Sequence, residues 1–370
     1  MPDIEPSDVE VDDAIDASAL LQVSRTPLER IQHALHRYPV LSPALVLLLS
    51  GLVFTYFGDG RFQEPSTIGI MLQQTAVLAT LAIGQTLIIL TAGIDLSIGT
   101  AMILVHLVIA RMVAFGATLP IVGWVIDPVD PIIGLLLGAL LGLFLGAIHG
   151  GLITRFGLPP FIATLGTFYV FQSLGNVYSK AQTTPKELLG DNAETRDVAE
   201  GLLLFLGRGI SIGSMRITVG VLLTIVLYLV FAYILSSTSW GRHVYATGDD
   251  AEAARLAGIN TRRVLISVYM VAGLIYAIGG WVQIGRSLSA SSNAATDINL
   301  ETITAVVIGG TSLFGGRGRL FGTLIGAMIV TMFDTGLSLA GVDAFYKNLA
   351  IGLLILFAVG LDNWIRKVGK

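Results

Sequence analysis

SSTSWGRHVYATGDDAEAARLAGINTRR, residues 236–263, is the longest polar interval in the C-terminal half of the chain, and apolar runs of spanning length flank it on both sides. A polar stretch between two runs of about 20 apolar residues is the pattern of a loop joining membrane-crossing helices. The interval carries Arg242, Arg255, Arg262 and Arg263. Lysine and arginine gather in cytoplasmic loops, which places this one in the cytoplasm. Within it, residues 249–257 read as a short amphipathic surface helix, with Gly258 just past its end where a left-handed residue is favoured.

Composition extends this reading to the whole chain. Apolar residues make up 54% and charged residues only 13%, whereas soluble domains are about a quarter charged. The charges are bunched between apolar runs, so the class is an all-α polytopic membrane protein in contact with lipid. Forty-three glycines agree, because glycine is tolerated in spans and lets helices approach closely. A net charge of −4 offers no basic field, which excludes nucleic acid as a partner. The absence of cysteine excludes disulfides and thiolate metal sites and leaves the redox compartment open.

About ten spans are expected, some short or broken: 40–57, 68–92, 98–115, 132–153, 161–178, 217–235, 264–284, 300–313, 320–339 and 348–361. Together they form one transmembrane domain over 40–362. Ahead of it, 1–25 reads as an acidic disordered cytoplasmic tail without the basic start of a signal peptide, and 26–39 as an interfacial amphipathic helix. A basic cytoplasmic tail, 363–370, follows. Ten spans put both termini on one side. That side holds thirteen Lys and Arg residues; the other holds eight, five of them in one long loop, 179–216. Long loops translocate with less regard to charge, so the short loops decide and both termini are cytoplasmic. Within the long loop, 201–207 is an apolar island too short to span, read as a small packed or re-entrant helix.

Gly134, Gly138, Gly142, Gly146 and Gly150 recur every four residues on one face of the fourth span, and Gly318, Gly322 and Gly326 repeat the device in the ninth. Both sets read as helix-packing faces. A short internal echo links AGIDLSIG (92–99) with GGTSLFGG (309–316), both at cytoplasmic turns.

Polar residues at or within spans are the pathway candidates, because burying them is costly. They are Gln85, Thr91, Asp95, Ser97, Thr164, Gln172, Asn176, Thr304 and Asp334. Asp95, with Thr91 and Ser97, has a competing reading as the cap of the helix starting near Ile98. No metal site is expected. No GxxxxGK[ST] stretch exists, so this chain binds no nucleotide by a P-loop, and GGRGR (315–319) reads as a turn.

TAGIDLSIGT (91–100), FIATLGTFYVFQSL (161–174), WGRHVYATGDDAEAARLAGIN (240–260) and AVVIGGTSLFGGRGRLFGTLIGA (305–327) resemble the permease subunit of bacterial ABC importers for ribose, xylose, galactose and related sugars. The resemblance implies a non-enzymatic, multi-pass plasma (inner) membrane subunit working as two copies around a central pathway. It implies a cytoplasmic ABC ATPase, in some members a fused tandem, that uses ATP and Mg, so that this chain itself holds no cofactor. It implies an extracytoplasmic sugar-binding protein as donor. By this resemblance the loop 236–263 docks the ATPase, through Gly241, Arg242, Asp249, Glu252, Ala253, Ala254, Arg255 and Gly258. Glu252-Ala253-Ala254 and Gly258 match the start of the EAA loop of other ABC importers, but Val268, Met270 and Val271 stand where its continuation is expected. Permeases for branched-chain amino acids and nucleosides share the broader fold, and quorum-signal importers share the narrower family. An ion-coupled secondary transporter would need more intramembrane acids than Asp95 and Asp334, and a membrane enzyme would need a catalytic cluster that is not visible.

Overall fold

Glycine decides how the spans meet. In the computed structural model, which describes residues 40–58, 60–118, 125–180, 182–185, 201–294, 297–343, 345–347, 349–354, 356 and 360, the longest helices cross where side chains are missing. They are α1 (Leu41–Phe57), α2 (Pro65–Leu90), α3 (Ile98–Phe115), α4 (Pro131–Arg155), α5 (Pro160–Ser179), α6 (Val219–Ser237), α7 (Ser239–Asp249), α8 (Ala251–Leu256), α9 (Thr261–Ser287), α10 (Ile298–Ile308) and α11 (Leu320–Leu339). The tails 1–25 and 363–370 and the segment 26–39 lie outside the described residues.

α4 and α9 form the most extensive helix pair. A Cβ on Gly142 would collide with the Gly273 carbonyl oxygen, one on Gly273 with the Gly142 carbonyl, and one on Gly146 with the Tyr269 carbonyl. Gly134 and Gly138 face Val113 and Ile109 of α3 instead. α10 and α11 meet in the same way, Gly322 against the Gly309 carbonyl and Gly326 against that of Ala305, while Gly318 sits against Thr311. With backbones this close, dispersion and weak contacts replace the hydrophobic effect that lipid cannot supply.

α2 is the central post. It touches α6, α9, α10 and α11, and its second half is buried all round. α4 and α6 are peripheral and show lipid-compatible outer faces, Leu136, Leu140 and Phe144 on one and Leu222, Leu229 and Tyr233 on the other. Among the described residues, six helices are long and apolar enough to cross a membrane: α2, α3, α4, α6, α9 and α11. α1 has 17 residues and α5 has 20, about 30 Å at 1.5 Å per residue.

Three expectations change. The eighth span, expected over 300–313, is the 11-residue helix α10, because Gly309 and Gly310 end it. The surface helix expected over 249–257 is α8, and a second helix that was not expected, α7, precedes it; the two meet at Asp250, whose backbone is extended and whose side chain caps α8. Among the described residues, three two-stranded ribbons accompany the helices: Ala117–Thr118 with Val125–Ile126, Thr184–Pro185 with Ser289–Ala290, and Gly209–Ile212 with Met215–Thr218. The apolar island forms a helical turn over 201–203 and a 3-10 turn, Phe205–Gly207. Leu203 and Leu206 are buried there, and Gly207 lies against Gly285 of α9.

Candidate functional site

Three polar regions stand out from the apolar frame. The first is a cavity of about 250 Å³ between α2, α9, α10 and α11, at the end remote from α7. Its polar lining is Gln74, Gln283, Arg286, Asn293, Asp297, Glu301, Thr331 and Asp334. Lys347 Nζ lies 3.6 Å from Asp334 Oδ1 and donates to Ser338 Oγ at 2.5 Å. Gln74 Oε1 accepts from Thr335 Oγ1 at 3.1 Å. Carboxylates accept, while guanidinium and amide groups donate. A wall that mixes them suits hydroxyl groups, each of which does both. The volume is below the ~300–1,000 Å³ usual for ligand clefts, so it suits one small solute.

The second region is buried and centred on the turn between α2 and α3. Asp95 Oδ1 accepts from Ser97 N and Ser97 Oγ, both at 2.7 Å, and Asp95 Oδ2 accepts from Tyr276 Oη at 3.0 Å. Ser97 Oγ lies 3.2 Å from His149 Nε2, which is 2.6 Å from Thr167 Oγ1. With the Ser97 hydroxyl donating to Asp95 and the Thr167 hydroxyl donating to the Ala163 or Thr164 carbonyl, His149 is the donor through Nε2. Its Nδ1 and the Tyr269 hydroxyl have no partner among the described residues. Thr164 Oγ1 accepts from Leu96 N at 3.2 Å, tying α5 to the same turn. The capping expectation is corrected in part. Asp95 holds the residue before α3, but Thr91 donates to Ile88 O at 2.8 Å and caps nothing in α3. The first turn of α3 is completed by Asn299 of α10, whose Oδ1 accepts from Gly99 N at 2.5 Å.

The third region is the polar loop. Thr238 Oγ1 accepts from Gly241 N at 3.1 Å and starts α7; a Cβ on Gly241 would strike the Leu235 carbonyl. Asp250 Oδ1 accepts from Glu252 N and Ala253 N, both at 2.9 Å, and starts α8. Gly258 has φ +85°; its N–H reaches Arg255 O and that of Ile259 reaches Ala254 O, the paired bonds of a Schellman end. Arg242, Asp249, Glu252, Ala253, Arg255 and Gly258 are exposed, whereas Gly241 and Ala254 are buried. Arg255 pairs with Glu252 at 2.5 Å in solvent, which contributes little to stability. α7 is seated on the frame by Tyr245 Oη, which donates to Gly318 O at 2.9 Å, and by Gly248 against the Leu90 carbonyl.

The pathway candidates therefore scatter. Asp334 lines the cavity. Asp95, Ser97 and Thr164 share the buried network. Gln85, Thr91 and Thr304 are buried elsewhere, the Gln85 amide without a partner among the described residues. Gln172 and Asn176 are exposed on the outer face of α5. Of the cavity residues not anticipated, Glu301 carried a signal, an acid inside an apolar run. Gln283 and Arg286 stood at the end of one run, and Asn293 and Asp297 in a loop, with nothing to connect them. Among the described residues no group of His, Asp or Glu is placed to hold a metal ion.

Comparison with known proteins places this geometry. Residues 67–359 match the model of a family described as branched-chain amino acid transport system, permease component. The chain is 42% identical to the fructose import permease protein FrcC of Rhizobium meliloti, over 99% of this chain and 97% of that one. It is 38% identical to the ribose import permease protein RbsC of Bacillus subtilis, over 87% and 92% respectively. It is 34% identical to the probable ABC transporter permease protein YphD of Escherichia coli, over 85% and 86%. No solved structure matches the chain.

Proposed function

Because the chain belongs to the family described as branched-chain amino acid transport system, permease component, we propose that it is the membrane-spanning permease subunit of an ABC importer, and that its cargo is a monosaccharide. The likeness to a fructose import permease along 99% of the chain carries this reading. In it, the chain is a multi-pass protein of the bacterial inner membrane with about ten spans and both termini in the cytoplasm. Two copies enclose the pathway. A binding protein delivers the sugar from outside, and an ATPase beneath supplies the work with ATP and Mg, neither of which this chain holds.

The polar cavity supports the cargo assignment. Its carboxylates, guanidinium and amides offer a neutral polyol both acceptors and donors, and its volume is that of one small solute. It lies at the end of the fold away from α7, where a donor protein would release its sugar. The cytoplasmic end supports the coupling assignment. α8 is a short capped helix with an exposed Leu256, held on a frame that reaches α2 and α11 through Gly248 and Tyr245. A push on α8 is delivered through α7 to the end of α2.

The test is reconstitution with the cognate ATPase and binding protein. ATP hydrolysis is expected to rise with one monosaccharide, with fructose and ribose first in the panel. A response to leucine or valine and to no sugar would overturn the cargo assignment, and uptake by the chain alone without ATP would overturn the ABC assignment. Glu252→Arg or a bulky residue at Gly258 is expected to uncouple hydrolysis from uptake with membrane insertion unchanged; wild-type coupling in both would remove the role given to 236–263.

A further inference from the structure

The loop between α10 and α11 presents Phe314, at 87% exposure the most exposed large apolar side chain among the described residues. It does not lie on a lipid-facing helix side. It stands in a turn beside α7, followed by the exposed Arg317 and Arg319.

The turn that carries it is fixed on every side. Gly315 N donates to Ser312 O at 3.0 Å, Ser312 N to Arg317 O at 2.8 Å, and Phe314 N to Ser312 Oγ at 3.3 Å. Gly316 N donates to Leu90 O at 3.0 Å, and Gly318 O accepts from Tyr245 Oη. Gly315 and Gly316 have φ +85° and +67°, and a Cβ on Gly316 would meet the Asp249 backbone at 2.7 Å. An aromatic ring left in water on a turn this constrained spares binding the cost of ordering its backbone. An aromatic beside arginines is also the composition enriched at binding hot spots.

We infer that Phe314 is a second anchor for the ABC ATPase, contributed by the C-terminal half of the chain beside the α8 anchor Leu256. This rests on the reading of 236–263 as the ATPase-docking loop. Continuity selects the occupant. Gly316 packs against Asp249, two residues before α8 begins, so a subunit seated on α8 reaches Phe314. The socket expected on the ATPase is apolar and rimmed by carboxylates facing Arg317 and Arg319. Such a contact would let one ATPase movement act on α8 and on the start of α11 together.

The experiment measures retention of the cognate ATPase by the purified permease, with Phe314→Ala, Phe314→Asp, Phe314→Tyr, Leu256→Ala and Glu252→Arg beside the wild type. Phe314→Ala is expected to weaken retention about 30-fold and Phe314→Asp further, while Phe314→Tyr stays near wild type. Thermal unfolding of each isolated permease in detergent is expected to be unchanged, since the ring touches solvent. Wild-type retention by Phe314→Ala and Phe314→Asp, with loss in Leu256→Ala or Glu252→Arg, overturns the inference and leaves the docking loop standing. Wild-type retention by all five variants removes the docking loop as well. A Phe314→Ala permease that keeps its ATPase but no longer associates with a second copy of itself assigns the ring to that copy and overturns the inference.

Discussion

Residues 92–99 and 309–316 are similar in sequence and are built by the same two devices, yet Ser97 of the first is buried and Phe314 of the second faces water. Each begins with a Schellman end. Ala92 (φ +60°) and Gly93 donate back to Ile89 and Ile88; Gly310 (φ +83°) and Thr311 donate back to Val307 and Val306. Each then closes a side-chain turn, Asp95 Oδ1 accepting from Ser97 N and Ser312 Oγ accepting from Phe314 N. From there they diverge. Asp95 and Ser97 have no exposed surface and bind α4 and α9, whereas Phe314 is bare. The backbone of the second turn lies directly on the first, through Gly316 N to Leu90 O. The difference teaches that a shared turn fixes only the chain path. The side chain that closes it, Asp95 or Ser312, is buried in both, and the residue two positions on, Ser97 or Phe314, makes the turn a core joint or a displayed surface.

The comparison is broken most severely by Asp95→Leu. The substitution leaves Ser97 N–H, Ser97 O–H and Tyr276 O–H without an acceptor in a buried site. At about 1–3 kcal/mol for each orphaned group, a loss of about 4 kcal/mol is expected. Thermal unfolding of the detergent-solubilised permease reads it. An unchanged midpoint would mean that the first turn is held by packing alone and differs from the second only in depth.

Asn299→Ala comes next. Its amide oxygen closes the first turn of α3 from α10, a clamp that the second turn does not receive from α3. The substitution orphans one buried backbone N–H and is expected to cost about 2 kcal/mol. Asn299→Asp is expected to restore the acceptor and most of the stability. Equal loss in both variants would point to side-chain volume instead of the hydrogen bond.

Much of this architecture is legible in the chain, and what is not has a physical reason. The bounds of α3 and α11 coincide with the expected spans because an uncharged apolar run of about 20 residues admits few other solutions. The glycine faces are legible because spacing by four keeps one face of a helix. The split of 239–256 is not, because Asp249 and Asp250 are equivalent in sequence and only backbone geometry makes the second a cap. Asn299 and Gly99 lie 200 positions apart, and no local pattern relates them. The cavity is assembled from four helices and a loop, so of its charged residues only Asp334 is among the pathway candidates the sequence offers, and Glu301 sits inside an apolar run with no local partner.

Tyr276→Phe sharpens the comparison more gently. It keeps the ring and removes one donor from Asp95 Oδ2, leaving Ser97 to hold Oδ1. Bonds between spanning helices average only about 0.6 kcal/mol. A bond to a carboxylate lies above that mean, so about 1.5 kcal/mol is expected. In a double-mutant cycle with Asp95→Asn the two losses are expected to be non-additive, because the groups share one bond. Additive losses would place Tyr276 outside the joint.

Ser312→Ala tests the displayed turn by the same operation and is expected to do least. The hydroxyl, itself buried, accepts from Phe314 N at 3.3 Å, a long bond in a part-buried site. A single long bond between neutral groups lies at the low end of the usual range, so about 0.5 kcal/mol is expected, against about 4 kcal/mol at Asp95. The ratio is the informative quantity, since both substitutions remove the acceptor of an equivalent turn. If Ser312→Ala unfolds the permease as readily as Asp95→Leu, the second turn is a structural joint like the first, and the exposure of Phe314 becomes a by-product of that joint. If the loss is small, the turn is free to be shaped by what it displays.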